Sequence, residues 1–292
     1  MICLYYVTLR CNDTCEFCQF WQNSDHQNIR ESDKEEILPK LREIRRRGAK
    51  QLSVTGGEPL LREDLPEILK AAKELGFAVD LTTNCILYPE RAKALKGLVN
   101  TLYFSLDYPI AEEHDRSRGL ACFNTVLRSI RLARELGEKP VIFYTLTRDS
   151  VRYLPEMVEI AEKLGVPIFI NPVYDLRGLQ GFEEETLTYI RYFFKRPNVI
   201  LNLAALELIK RGGNDPVWPR CRAKETVITL MPDGQQGDPC FFNPGGKQGG
   251  EAVCSGCTRW PYMLPSFAKG LDHYYFLNLY SNWYQDRKEN VS

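Results

Sequence analysis

From Met1 to about residue 195, short runs rich in β-branched and aromatic residues alternate with amphipathic stretches. "ICLYYVTL" (2–9), "QLSVT" (51–55), "FAVDLTT" (77–83), "TLYFSLD" (101–107), "VIFYTLT" (141–147) and "VPIFIN" (166–171) read as strands. Between them, "DKEEILPKLREIRRRG", "LPEILKAAKELG" and "FNTVLRSIRLARELG" carry the helical period, and Gly48, Gly76, Gly137 and Gly165 stand where helices should stop. Six βα units of roughly 30 residues predict an α/β fold with a parallel sheet. Six fall short of the eight that close a barrel, so a partial (β/α)6 TIM-type barrel over 1–200 is expected, with a flat doubly wound sheet as the competing layout.

Near residue 212 the pattern breaks. "RGGNDPVWPRC" is rich in breakers and predicts a linker over 201–220. Beyond it, "TVITLMPDGQQGDPCFF" holds two strand-like runs around a Pro-Asp-Gly turn, followed by the loop "NPGGKQGG". Four cysteines fall in 221–260, which predicts a small metal-organised domain. The aromatic tail 261–292 is expected to pack on the barrel.

Composition narrows the choices. The 292 residues suffice for a large core plus a small domain. The 38 basic and 38 acidic residues cancel, so nucleic acid and anionic membranes are not expected partners. No apolar run approaches the ~20 residues of a membrane span. The N-terminal "MICLYYVTL" reads as a strand rather than a leader, which places the protein in a reducing cytoplasm. Ten cysteines there point to metal or redox chemistry rather than to disulfides.

Directly after the first strand, Cys11, Cys15 and Cys18 are spaced C-x3-C-x2-C. A structural zinc site wants four protein ligands, and a [4Fe–4S] cluster wants one thiolate per iron. Three cysteines on one loop suggest a cluster with one iron left for another ligand, although a zinc ion drawing a distant fourth ligand satisfies the same spacing.

This pattern, with Phe17 before the last cysteine, resembles the radical S-adenosylmethionine superfamily. The resemblance implies a [4Fe–4S] cluster on these cysteines whose open iron binds S-adenosylmethionine, and reductive cleavage of that cofactor to a 5′-deoxyadenosyl radical that abstracts hydrogen from a substrate carbon. "TGGEP" (55–59) is similar to the family's Gly-Gly-Glu motif, which implies that Gly56, Gly57 and Glu58 receive the cofactor's amino group. "LTTNC" (81–85) resembles its third strand ending, implying Asn84 at the cofactor, with Cys85 where the family usually has glycine. A thiol there is a candidate hydrogen-atom donor or simply a small residue.

"FSLDYPIAEEHDRSRG" (104–119) is similar to the fourth-strand segment of the SPASM-type branch. By that likeness Ser105 and Arg118 would reach the cofactor carboxylate, and Asp107 would lie near ribose or substrate. Tyr108 replaces a usual glycine.

Cys221, Cys240, Cys254 and Cys257, spaced C-x18-C-x13-C-x2-C, supply a ligand for every iron of a second cluster, and a four-cysteine zinc site fits the same residues. Beside the family motifs they imply one auxiliary [4Fe–4S] cluster in a twitch-like or SPASM-like domain, for electron transfer or substrate anchoring. Cys3 and Cys122 have no partners in the motifs and are expected to be buried apolar residues.

At the end of the sixth strand, Asn171, Tyr174 and Asp175 are candidate substrate contacts or proton acceptors, by position. No nucleophile elbow or phosphate loop occurs. The expectation is thus an oxidoreductase or related carbon-modifying enzyme acting on a small molecule, with oxidation, epimerisation or bond formation as outcomes. An electron donor such as flavodoxin or ferredoxin is its expected partner. A maturase acting on a peptide or protein side chain is the alternative within the class, and a non-catalytic zinc-binding scaffold the alternative outside it.

Overall fold

The computed structural model describes residues 1–18, 21–22, 28–173, 182–237, 240 and 254–289, and the chain folds as two compact units. The first comprises Met1–Phe143 with Ile228–Gly237, and the second Tyr144–Val227 with Asp238–Ser292.

In the first unit, β1 (Ile2–Thr8), β2 (Gln51–Gly56), β3 (Ala78–Thr83), β4 (Thr101–Ser105) and β5 (Pro140–Leu146, entering the second unit at Tyr144) pair in sequence order and in parallel. The register is in step along the sheet, with Leu4 beside Ser53, Ser53 beside Asp80 and Asp80 beside Thr101. All these strands therefore end at one edge, where parallel α/β sheets place their chemistry. On the free side of β1 follow β8 (Val227–Leu230) and the antiparallel β9 (Gln236–Gly237). The hairpin expected around the Pro-Asp-Gly turn thus joins the first unit's sheet.

The crossovers are α1 (Lys34–Arg46), α2 (Leu65–Glu74), α3 (Tyr88–Leu95) and the pair α4 (Ala111–Arg118) and α5 (Phe123–Glu135). α1 shows why such segments are helical. Asp33 caps it by accepting from the Glu36 amide at 2.9 Å, and Glu35 with Glu36 and Arg45 with Arg46 complement its dipole. Ile37, Leu41 and Ile44, one turn apart in succession, are its buried side chains. The sequence period of this helix is its packing face.

The second unit continues from β5 to β6 (Ile168–Pro172) and β7 (Val199–Ile200), again parallel. Its helices are α6 (Leu154–Leu164), α7 (Glu184–Tyr192), α8 (Leu203–Lys210), α9 (Ala223–Thr226), α10 (Trp260–Phe267) and α11 (His273–Glu289). Residues 203–210, expected in a linker, form α8, capped by Asn202 through the Ala204 amide at 2.9 Å. The glycines at 212 and 213 end this helix rather than a domain. Ala204, Ala205 and Leu208 of α8 pack with Trp260, Met263 and Phe267 of α10 and Tyr274 of α11 in one buried cluster. The aromatic tail is tied down at its far end as well, since Lys288 Nζ donates to the carbonyls of Phe194, Arg196 and Val199 at 2.6, 2.7 and 3.1 Å.

Candidate cluster and cofactor sites

The first site grows from the strand ends of the first unit. The β2 end passes so close to the segment after β1 that the Gly57 amide donates to Thr8 O at 2.9 Å and the Glu58 amide to Arg10 O at 2.8 Å. A Cβ on Gly57 would stand 2.0 Å from Arg10 O, and one on Gly56 2.1 Å from Thr8 O. The glycines are needed first for this chain-to-chain approach, which fixes where the cysteine loop leaves β1. The loop's other side is stitched to the end of α4: the Thr14 amide donates to Arg118 O at 3.1 Å, and the Glu16 amide to Ser117 O at 3.0 Å. Trp21 Nε1 donates to Cys15 O at 3.0 Å. Cys11, Cys15 and Cys18 are thus held from two directions by motifs far away in sequence.

Glu58 is buried and accepts from three protein donors. Its Oε1 accepts from the Leu60 amide at 2.9 Å and Thr83 Oγ1 at 2.7 Å, and its Oε2 from the Asn84 amide at 2.8 Å. Burial raises its pKa to about 7, with those three donors pulling the other way. A carboxylate has about four lone-pair positions, so one remains for an ammonium group. Asn84 turns its Nδ2 to Asn12 Oδ1 at 2.8 Å, inside the cysteine loop. The pattern signalled Glu58 and Asn84 but not Thr83 or Asn12, which bind them. Both missed residues sit inside or beside the quoted motifs, the one signal that would have found them.

Arg118, 6% exposed, is the centre of a buried charge cluster. It reaches Asp107 Oδ2 through Nε at 2.7 Å and Nη2 at 2.5 Å. Its Nη1 lies 3.7 Å from Cys15 Sγ and 3.9 Å from Asp13 Oδ2, and its guanidinium stands 5.4 Å from the Phe17 ring centre. Burial would make the guanidinium easier to deprotonate, but Asp107, Cys15 and Asp13 outweigh it and the cation is held. The loop aspartate Asp13 is itself buried, and the motif spacing gave no sign of it. Among the described residues its Oδ1 has no hydrogen-bond partner. Burial pushes the Cys11 and Cys15 thiols up to about 12, so a thiophilic cation must displace their protons to bind. Ser105 is buried at the end of β4, its amide directed to the Cys85 thiol.

Cys85 adopts φ +71°, the one positive φ among described residues other than glycine. Its thiol is fully buried and points to Thr83 O at 3.7 Å. It fills the glycine position as a packed small residue. Cys3 and Cys122 are buried, as expected.

Among the described residues, one set of three metal-ligand types has its ligand atoms within 4.8 Å of one another: His114, Asp115 and Cys122. It makes a poor metal site. His114 Nδ1 accepts from the Asp107 amide at 3.2 Å, so the neutral ring carries its proton on Nε2 and offers no second lone pair. Burial and Arg118 keep that ring neutral, with a pKa near 3. Asp115 Oδ1 accepts from the Cys122 and Phe123 amides, both at 2.8 Å, which caps α5.

Within the second unit the other four cysteines converge. The Cys221 thiol, raised by burial, also feels Cys257, Cys240 and Cys254. Arg259, buried, places Nη1 3.8 Å from Cys257 Sγ. All-thiol donor sets of this kind fit a thiophilic metal centre, and the four-cysteine group suits an iron–sulfur cluster or zinc alike. Of the candidates at the sixth strand, Asn171 is buried on β6, while Tyr174 and Asp175 lie outside the described residues.

A parallel α/β sheet with three cysteines, a buried Gly-Gly-Glu carboxylate and a clamped arginine near its strand ends belongs to the partial-barrel class of α/β proteins. The chain belongs to the radical SAM superfamily, whose family model matches residues 5–161. It is 30% identical over 252 residues to a probable GTP 3′,8-cyclase of Sulfolobus acidocaldarius, covering 78% of this chain and 77% of that protein. It is 31% identical over 189 residues to the Fe-coproporphyrin III synthase of Methanosarcina barkeri, covering 63% of this chain and 47% of that one. Several solved structures share the fold. Streptococcus suis SuiB bound to precursor peptide SuiA has a TM-score of 0.68 at 19% identity, over 89% of this chain and 64% of SuiB. anSMEcpe with bound AdoMet and a Cp18Cys peptide has a TM-score of 0.63 at 14% identity, over 99% and 98%. No described helix is long and apolar enough to cross a membrane.

Proposed function

We propose that this radical SAM enzyme carries two iron–sulfur clusters with different duties, one holding S-adenosylmethionine and the other moving electrons. The observation that carries this reading is the difference between the two cysteine groups. In the three-cysteine group Cys11 feels Glu58 and Cys15 faces Arg118, whereas the other group is four interacting thiols with Arg259 beside Cys257. Bound together, the three-cysteine cluster and S-adenosylmethionine would supply a 5′-deoxyadenosyl radical able to take hydrogen from a substrate carbon.

The chain's own residues bind, orient and shield. Cys11, Cys15 and Cys18 would ligate three irons. Glu58 would hold the cofactor's ammonium in its remaining lone-pair position, and its burial excludes water from that contact. Gly56 and Gly57 keep the floor of the site free of side chains, and Asn84 ties the floor to the cysteine loop. Ser105 lines the β4 edge. Arg118 is committed to Asp107, so we assign it to the Cys15 thiolate rather than to the cofactor carboxylate, and Asp107 to holding Arg118. Because Cys221, Cys240, Cys254 and Cys257 would occupy every iron of the second cluster, that cluster leaves no corner for substrate, which favours electron transfer.

For the substrate, the relatives pull two ways. The probable GTP 3′,8-cyclase and the Fe-coproporphyrin III synthase are named for small molecules, and SuiB and anSMEcpe were solved with peptides. The sequence likeness is the stronger, and we favour a small molecule, with a peptide side chain as the second reading.

The test is anaerobic reconstitution followed by reductant and S-adenosylmethionine. Wild type should hold about eight irons, two clusters of four, and release 5′-deoxyadenosine. Cys15→Ala should release none. Zinc in place of iron, or full release by the variant, overturns the proposal.

A further inference from the structure

One buried residue hydrogen-bonds to the backbone of three of the four cysteines of the second group. Asn214 is 3% exposed, in the turn after α8. Its side-chain Oδ1 accepts from the Arg220 amide at 2.8 Å and the Cys221 amide at 3.0 Å, and its Nδ2 donates to Cys254 O at 3.2 Å. Its own amide donates to Cys257 O at 2.9 Å, and its carbonyl accepts from the Gly256 amide at 2.8 Å. Five hydrogen bonds thus join residues 220–221 and 254–257 through one asparagine. Next to it, Gly213 has φ +86°, and a Cβ there would stand 2.2 Å from Gly256 O. The two backbone segments approach as closely as glycine allows.

We propose that Asn214 is the positioning residue of the four-cysteine site, fixing the backbone from which Cys221, Cys254 and Cys257 project before any metal binds. The proposal rests on the auxiliary-cluster reading above and adds to it. The two bonds made by the Asn214 backbone survive substitution by alanine, and the three made by its carboxamide do not. An asparagine suits the role because it both accepts and donates from one short side chain. Outer-shell partners that hold ligands in place are typically worth about 10- to 100-fold in metal affinity. Here the held atoms are the ligands' own backbone, so the effect should fall on loading rather than on cluster chemistry.

The experiment compares full-length wild type with N214A, N214D and C257A, reconstituted with iron and sulfide, by iron count and by EPR of the reduced protein. N214A should fall from about eight irons toward about four and lose the second cluster's signal, as C257A should. N214D keeps the two acceptor bonds and should load to an intermediate level. A merely structural role would lower the melting temperature of the metal-free variants in step with loading. A positioning role predicts that N214D loses part of its loading without a matching loss of melting temperature. Wild-type loading in N214A overturns the proposal.

If wild type itself holds only about four irons, the auxiliary-cluster reading fails on its own account. Cobalt(II) titration of the metal-free chain, with Cys11, Cys15 and Cys18 replaced by alanine, then tests Asn214 directly. N214A should bind cobalt through the remaining thiolates about tenfold more weakly or worse. Equal affinity overturns the proposal.

Discussion

The Arg118 guanidinium holds Asp107 with two of its nitrogens, at 2.7 and 2.5 Å, and turns the third toward Cys15. Both charged side chains are buried, so each draws stabilisation from the other. Removing one partner of such a pair strands the other charge and typically costs about 3–5 kcal/mol. Arg118→Ala removes the cation that Asp107 and Asp13 share, and Asp107→Ala removes the carboxylate nearest the guanidinium. We expect each single variant to lower the urea midpoint of the metal-free protein strongly, and the double variant to lose much less than the sum. Additive losses under about 1 kcal/mol, as for a surface pair, would contradict the assignment.

Glu58 sets a pH dependence whose sign follows from burial. Its carboxyl titrates near 7 in the folded protein, above its unfolded value of 4.5. Below pH 7 it takes up a proton and loses its attraction for an ammonium group. S-adenosylmethionine affinity of the reconstituted protein should therefore fall as pH drops from 8 to 6, approaching tenfold per unit on the acid side. Stability should move the other way. The folded chain binds the extra proton between pH 4.5 and 7, so this group's contribution is full below 4.5 and is lost as pH rises through 7. Glu58→Gln should flatten both profiles. Calorimetric titration and thermal melts across pH check them, and a binding profile of Glu58→Gln that still falls below pH 7 removes the role given to this residue.

Two glycines at the cysteine loop should fail differently on substitution. A Cβ on Gly119 meets Thr14 Oγ1 at 1.9 Å, at φ +68°, while one on Gly57 meets the Arg10 carbonyl at 2.0 Å. The first obstacle is a side-chain atom and the second is backbone. Gly119→Ala should lose iron from the first cluster, with part of the loss restored by adding Thr14→Ala. The restoration is partial because the left-handed backbone still costs about 1–2 kcal/mol. Gly57→Ala should lose iron with no side-chain remedy. Iron counts on the three variants decide it, and full loading of Gly57→Ala would show that the loop does not depend on that approach.

The residues readable from sequence are those whose chemistry is their own. Cys11, Cys15, Cys18 and Glu58 declare themselves by residue type and spacing, and Ile37, Leu41 and Ile44 declare α1 by period. Asn12, Asp13 and Thr83 were not readable, because each matters through a partner brought close by topology, from strand to neighbouring strand end. Asn214 is the extreme case, since its side-chain partners are all backbone atoms, which carry no sequence signature. The same blindness turned a helix into a linker. "RGGNDP" marks a stop, and nothing in those residues says that it follows the helix Leu203–Lys210 rather than separating domains.

The two cysteine groups share one more feature, and it separates charge from geometry. Arg118 Nη1 stands 3.7 Å from Cys15 Sγ and Arg259 Nη1 3.8 Å from Cys257 Sγ, both arginines nearly excluded from solvent. A buried cation beside a ligating sulfur favours the electron-richer state, and hydrogen bonds to cluster sulfurs raise reduction potentials. At the first site Asp107 and Asp13 offset the guanidinium, so the pull on Cys15 is tempered. Arg259→Gln should therefore lower the midpoint potential of the second cluster, and Arg259→Lys, which keeps the charge but not the planar fork, should lower it less. Asp107→Asn should raise that of the first by releasing the guanidinium charge. EPR-monitored redox titrations read both potentials in one sample. Unchanged potentials in all three variants would leave these arginines as packing residues.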